Sequence, residues 1–152
     1  MDDDVLHPTV ATVATDIEAM ETRGAATIAD AAASALRTQA RESGAETSAD
    51  FRAEMRGAAR HLLDTRPTAV SLPNALRYVM RRMEGDSVPA LRRSVEAGAT
   101  AFCEQLDRAQ ADLGRIGANR LRDGDRVMTH CHSTDAVACI EAAVKQGKDL
   151  TA

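Results

Sequence analysis

The sequence predicts a mostly α protein: an amino-terminal helical domain over residues 1–122, then, over residues 123–152, the first strand and helix of an α/β domain that is incomplete. Three observations carry this expectation. Hydrophobic residues make up 44% of the 152-residue chain, yet it has two Phe, one Tyr and no Trp. Alanine and aliphatic side chains must therefore build the core, which suits closely apposed helices better than sheets rich in aromatic and β-branched residues. Apolar residues recur at spacings of three and four through most of the chain, and near residue 122 that texture gives way to a tight turn and a short β-type run.

The elements follow in order. Val10, Val13, Ile17 and Met20 give a first amphipathic helix over 9–20. Thr22-Arg23-Gly24 interrupts it, and an alanine-rich second helix runs over 25–41. Ser43-Gly44 closes that helix. Ser48 is placed to cap a third, with Phe51, Met55, Ala59 and Leu62 on one face. After the Thr65-Arg66-Pro67 turn, Ser71 and Asn74 open a fourth helix, with Pro73 tolerated in its first turn. From Ser87 a near-heptad seam of Val88, Leu91, Val95, Ala99, Phe102, Leu106, Ala109, Leu113 and Ile116 predicts one helix of more than about thirty residues, packed on the other helices or on a partner subunit. Arg122-Asp123-Gly124-Asp125 is a turn signal, Val127–His130 reads as a strand, and Thr134–Gln146 returns to helical spacing through Val137, Ile140 and Val144. A strand leading directly into a helix is the opening unit of a parallel sheet. The chain ends where the next strand is expected, so the sequence reads as one that stops short.

Charge and composition exclude several function classes. A net charge of −4 with scattered basic residues argues against nucleic acid, which attracts basic stripes interleaved with aromatics. No apolar run reaches the roughly 20 residues that span a bilayer, and the acidic start Met1-Asp2-Asp3-Asp4 is unlike a secretory signal. The expectation is a cytoplasmic protein with no membrane partner. Cys103, Cys131 and Cys139 form no paired framework, in keeping with a reducing compartment. Only Lys145 and Lys148 of the 19 basic residues are lysines, a bias expected of a GC-rich genome.

The stretch His130-Cys131-His132-Ser133-Thr134 lies at a strand-to-helix junction, where ligands of α/β sheets bind. With Ser133 or Thr134 as helix cap, free amides and the positive end of the helix dipole lie beside Cys131 and favour thiolate. The thiol is then either reactive or simply a small packed hydrophobe. Cys103 and Cys139 fall on helical faces and read as packing residues. Consecutive strand residues alternate faces, so His130, Cys131 and His132 cannot chelate one ion together, and neither metal nor cofactor is expected. His132 either orients a polar ligand or faces solvent. Arg23-Gly24-Ala25-Ala26 sets a guanidinium and a bare backbone at a helix start, which is either an anion site or only a tight interhelical turn. Arg66, on a proline-stiffened turn, is a second candidate phosphate ligand or a solvated charge. Arg77, Arg81 and Arg82, with Arg92 and Arg93, read as solvated or intersubunit positions.

Taken in order, Arg23-Gly24-Ala25-Ala26, Arg66-Pro67-Thr68-Ala69-Val70-Ser71-Leu72-Pro73-Asn74-Ala75, Gly117-Ala118-Asn119-Arg120 and Thr129-His130-Cys131-His132-Ser133 closely resemble the family of archaeal ribose-1,5-bisphosphate isomerases. Methylthioribose-1-phosphate isomerase and the alpha, beta and delta subunits of translation initiation factor 2B belong to the same larger family. The match covers nearly the whole chain, and the ordered set is more specific than any one piece. The resemblance implies a helical domain followed by a Rossmann-like domain, with a phosphorylated ribose held between them. Carried over, Cys131 is the proton acceptor, Arg23, Gly24, Ala25, Ala26 and Arg66 bind phosphate, and Ser133, Thr134 and Asp135 make further substrate contacts. The implied reaction, part of nucleotide salvage, turns ribose 1,5-bisphosphate into ribulose 1,5-bisphosphate. It needs a proton removed from C2 and one delivered to an enediol. The family's proton-donating aspartate falls past residue 152, so this chain alone is expected to be inactive.

Three classes of function remain: an isomerase portion, a noncatalytic regulatory subunit like those of initiation factor 2B, and a helical interaction module. Cys131 together with Arg23-Gly24 favours the isomerase. Within that branch, the proline that usually extends the phosphate turn of methylthioribose-1-phosphate isomerase is absent after Ala25. An open strand edge beside apolar helix residues invites association, and a homo-oligomer is expected. The prediction is a dimer or larger species in sedimentation at moderate salt; a monodisperse monomer contradicts it.

Overall fold

A computed structural model describes residues 6–131 and 133–152. The acidic start at residues 1–4 and His132 lie outside them. Among the described residues there are six α-helices: α1 (Pro8–Glu18), α2 (Ala25–Glu42), α3 (Ser48–Thr65), α4 (Ser71–Met80), α5 (Val88–Ala118) and α6 (Thr134–Lys145). Two compact units divide the chain inside α5, one ending at Glu104 and the other Gln105–Ala152. No helix among the described residues is long and apolar enough to cross a membrane.

The first unit packs α1 to α4 and the first part of α5 around one core. Val10, Ala14 and Ile17 of α1 meet the alanine face of α2, where Ala32, Ala33, Leu36 and Ala40 are fully buried. Phe51, Met55, Ala58 and Leu62 of α3, Leu72 and Val79 of α4, and Leu91, Val95 and Ala99 of α5 complete it. Pro8 stands in the first turn of α1, where a missing N–H costs nothing. The imidazole Nδ1 of His7 accepts from the Thr9 amide at 3.1 Å, and the His7 amide donates to Oε1 of the buried Gln39 at 2.8 Å, pinning the start of α1 to α2.

Several helix ends are held by distant side chains. Thr47, one residue earlier than the expected Ser48, caps α3 by accepting from the Asp50 amide at 3.1 Å. Ser48 instead donates to the Asp86 carbonyl. Arg92, expected to be solvated or intersubunit, closes the end of α2 by donating to the carbonyls of Ala40 (3.0 Å) and Ser43 (2.7 Å). Arg52 does the same beyond α4, at the carbonyls of Met83 and Gly85. Cationic donors at the carbonyl end of a helix satisfy orphan acceptors and oppose the dipole. Arg82 lies over the Tyr78 ring at 3.4 Å, a cation–π contact.

In the second unit the seam of α5 changes role: Leu113 and Ile116 are about half exposed. Here α5 meets α6 through small residues. A Cβ on Gly117 would lie 2.9 Å from the Cβ of Cys139 and nearer still to its sulfur, and one on Gly114 would lie 3.1 Å from the Ala138 carbonyl oxygen. The Cys139 thiol donates to the Leu113 carbonyl at 3.2 Å. The Lys148 ammonium donates to the carbonyl of Ala118, the last residue of α5, at 2.6 Å.

The strand expected at Val127–His130 is absent among the described residues. Residues 124–127 and 149–151 run parallel through one bridge, Arg126 to Thr151, with Gly124 N–H to Asp149 O at 2.8 Å, Val127 N–H to Thr151 O at 2.7 Å and Thr151 N–H to Asp125 O at 3.1 Å. Among the described residues this pairing reaches no further than Val127 and Thr151, and Met128 is 96% exposed. A mostly α architecture is what the structure has. We predict that Gly117→Ala, by overpacking the α5–α6 crossing, destabilises it by about 1–3 kcal/mol. Hydrogen exchange should quicken through the α6 amides and stay unchanged in α1 to α4.

Candidate functional site

The expected phosphate-binding residues lie in the first unit, where α1 ends and α2 begins. Met20 takes the left-handed conformation at φ +63°. Its amide donates to the Ile17 carbonyl at 3.2 Å, and that of Glu21 to the Asp16 carbonyl at 2.9 Å. This is a Schellman turn with methionine where glycine usually stands, at a cost of about 1–2 kcal/mol for the left-handed residue. The Arg23 Nε–H donates to the Met20 carbonyl. Gly24 then forms the N-cap of α2 at φ +90°, ψ +137°, with no side-chain cap bond. Its carbonyl accepts from Ile28 at 3.0 Å, which leaves the amides of Ala25, Ala26 and Thr27 without an intrahelical acceptor. Arg23 and Ala25 are exposed, Gly24 and Ala26 half-buried. A guanidinium beside uncapped amides at a positive helix end is suited to a phosphate monoester.

Arg66 is the C-cap of α3, half-buried, in a turn closed by the Ala69 amide donating to its carbonyl at 3.0 Å. It shares the first unit with Arg23.

The second group lies in the second unit. Cys131 is exposed and is a left-handed non-glycine residue, φ +64°. It ends the extended segment rather than a strand, two positions before Ser133. Ser133 is the N-cap of α6, its Oγ accepting from the Ala136 amide at 3.2 Å, so the serine is the cap of the two residues considered. Thr134 and Asp135 occupy the first turn, Asp135 as an anion at the positive end of the dipole. At the far end of the helix, Gln146 donates to Asn119 Oδ1 at 3.4 Å. Among the described residues no group of three or more His, Cys, Asp and Glu could hold a metal ion.

Cys103 is half-buried where Cys131 is exposed. Burial, aided by its hydrogen bond to the Asp30 carboxylate, pushes the Cys103 thiol up from 9.0 to about 11, against the opposing influence of Ser34 and Arg37. The Ser34 hydroxyl lies 3.7 Å from its sulfur. Two features of the site carried no sequence signal. The Met20 turn has no glycine to mark it, and the Arg23 bond depends on that turn.

The sequence pattern of the Initiation factor 2 subunit family matches residues 21–152. The chain belongs to that family. Among similar proteins, the ribose 1,5-bisphosphate isomerase of Haloferax volcanii is 66% identical over 150 residues, 99% of this chain and 46% of the relative. That of Thermococcus kodakarensis is 46% identical over 91% of this chain and 44% of its own length. The chain therefore spans somewhat under half the length of the curated relatives it matches. The crystal structure of 5-methylthioribose 1-phosphate isomerase from Pyrococcus horikoshii superposes with a TM-score of 0.77 at 28% identity, over 89% of this chain and 42% of the other. The translation initiation factor 2B delta subunit from A. fulgidus gives 0.72 at 29% identity, over 93% of this chain and 44% of the other.

Two thiol measurements follow. Because the Cys103 thiol titrates at about 11 in the folded chain and near 9.0 when exposed, unfolding above pH 9 releases a proton that the folded state retains. Stability is thus unaffected below pH 9 and falls as pH rises from 9 to 11. Melting temperature should decline over that window in the unaltered chain and decline less in Cys103→Ala. At pH 8, iodoacetamide should label the exposed Cys131 before the half-buried Cys103.

Proposed function

We propose that this chain is the amino-terminal portion of a ribose-1,5-bisphosphate isomerase, contributing the proton acceptor and part of the phosphate site. On this reading residues 1–122 serve as the helical domain and residues 123–152 open a Rossmann-like domain, with α6 as its first helix. The protein is cytoplasmic and homo-oligomeric, and its substrate is the phosphorylated ribose.

One observation carries the reading beyond likeness to the relatives. Cys131 is exposed and held in a left-handed conformation at the approach to the capped amino terminus of α6. Strained non-glycine residues collect at functional sites, and a thiol ahead of a helix start is a usable base. Isomerisation requires the C2 proton to leave as the C1–ring oxygen bond opens and that oxygen gains a proton. The resulting enol takes a proton at C1 and releases its hydroxyl proton to give the C2 ketone. Cys131, as thiolate, accepts the C2 proton. Arg23, Arg66 and the amides of Ala25 and Ala26 hold a phosphate of the substrate, and Ser133, Thr134 and Asp135 contact the sugar. The donor is the family's later aspartate, supplied by the carboxy-terminal region that the relatives possess.

The test is an isomerase assay on ribose 1,5-bisphosphate with this chain alone, with the chain joined to the carboxy-terminal region of the Haloferax volcanii relative, and with Cys131→Ser in the joined protein. The joined protein should be active and the short chain silent. The serine variant should lose on the order of 10²–10⁴-fold, the worth of a positioned base. A silent joined protein replaces this reading with the regulatory one.

A further inference from the structure

Resting on the phosphate reading above, the geometry points to Met20 as a positioning residue for that site, acting through Arg23. Met20 contributes its backbone, not its side chain, which is 45% exposed. At φ +63° its amide is taken by Ile17, and the following amide by Asp16, so the carbonyl is turned away from the ladder of α1. That carbonyl accepts the Arg23 Nε–H. A guanidinium has five N–H donors in a rigid fork. Fixing Nε at the carbonyl immobilises the plane and leaves both terminal amino groups as the pair that can grip a phosphate in two places. Gly24, next in sequence, begins the uncapped start of α2. One left-handed turn therefore sets both the arginine and the amides before a ligand arrives, and the entropy of ordering a long side chain is not charged to binding.

The choice of residue matters because left-handed geometry is tolerated by asparagine and resisted by β-branched side chains. Met20→Asn should keep the turn and Met20→Ile should open it. Arg23→Lys keeps the positive charge but has no Nε–H for the carbonyl.

The experiment follows amide shifts of Gly24, Ala25 and Ala26 in the 152-residue chain as inorganic phosphate is added, together with exchange of the Arg23 Nε–H. Expected are phosphate-dependent shifts in the unaltered chain and in Met20→Asn, with affinities within about threefold and a slowly exchanging Nε–H in both. Met20→Ile and Arg23→Lys should each bind about tenfold more weakly, the worth of one charge-assisted hydrogen bond. The double variant should be no weaker than Arg23→Lys alone, because without an Nε–H the Met20 carbonyl has nothing left to hold. Arg23→Ala should abolish the shifts. If Arg23→Ala does so while Met20→Ile matches the unaltered chain, the positioning role is overturned and the phosphate reading stands. If the unaltered chain shows no shifts, or Arg23→Ala retains them, the phosphate reading fails and the positioning role with it. Should Met20→Ile fail to fold, exchange of the Arg23 Nε–H in the unaltered chain decides: exchange as fast as that of a free arginine overturns the positioning role.

Discussion

Close approach of helix backbones through alanine is the constraint on which the first unit depends. Ala29, Ala32, Ala33, Ala35 and Ala40 on α2 are at most 3% exposed, and such side chains bury little area each, on the order of one or two methylenes' worth of transfer energy. Their value is geometric. They let α1, α3 and α4 close around α2 so that the larger Ile17, Phe51, Met55 and Leu62 interlock, and dispersion over many short contacts replaces the aromatic mass that the sequence lacks. Helices so close bring their ends together, and free carbonyls then need donors. Arg92 at α2 and Arg52 beyond α4 supply them from helices distant in sequence.

The second unit follows the same rule with less to bury. Glycines 114 and 117 allow α5 and α6 to touch, Lys148 ties the chain after α6 to the end of α5, and Ala143 is the one fully buried residue of α6. Val137, Val144, Leu113 and Ile116 stay about half exposed. A helix pair whose deeply buried residues are the small Gly114, Ala118 and Ala143 is weakly stabilised, and in such a unit the position of α6 rests on a few specific bonds.

Much of this was legible in the sequence because helices are written locally. The three-and-four spacing of Val10, Val13 and Ile17, the glycine breaks and the long seam from Val88 yielded the helices to within a few residues. What failed to read was non-local or backbone-borne. Val127–His130 has strand composition, but a strand exists only with a partner in register, and pairing reaches no further than Val127. Arg92 looks like any surface arginine until the end of α2 is known to lie beside it. Ser48 and Thr47 are equal candidates as caps by composition, and the side chain that meets the Asp50 amide decides between them. Of the expected site residues, Gly24 and Ser133 were legible as helix starts, since each type has a known role there. The left-handed states of Met20 and Cys131 were invisible, because neither residue type advertises that conformation.

Those two residues share more than their geometry. They are the non-glycine residues with positive φ among those described, and each stands shortly before a helix start, Met20 ahead of Gly24 and Cys131 ahead of Ser133. A left-handed residue reverses the chain over one peptide, and at Met20 that reversal leaves only Glu21, Thr22 and Arg23 before the Gly24 cap. Glycine would turn the chain as readily but would leave it free to turn otherwise, whereas a side chain narrows the choice at a cost of about 1–2 kcal/mol. That cost is borne at both helix starts where the resemblance places substrate contacts. With glycine at each of those points the folded turn would be relieved of that cost, and the side chains retained there hold the chain to one turn instead.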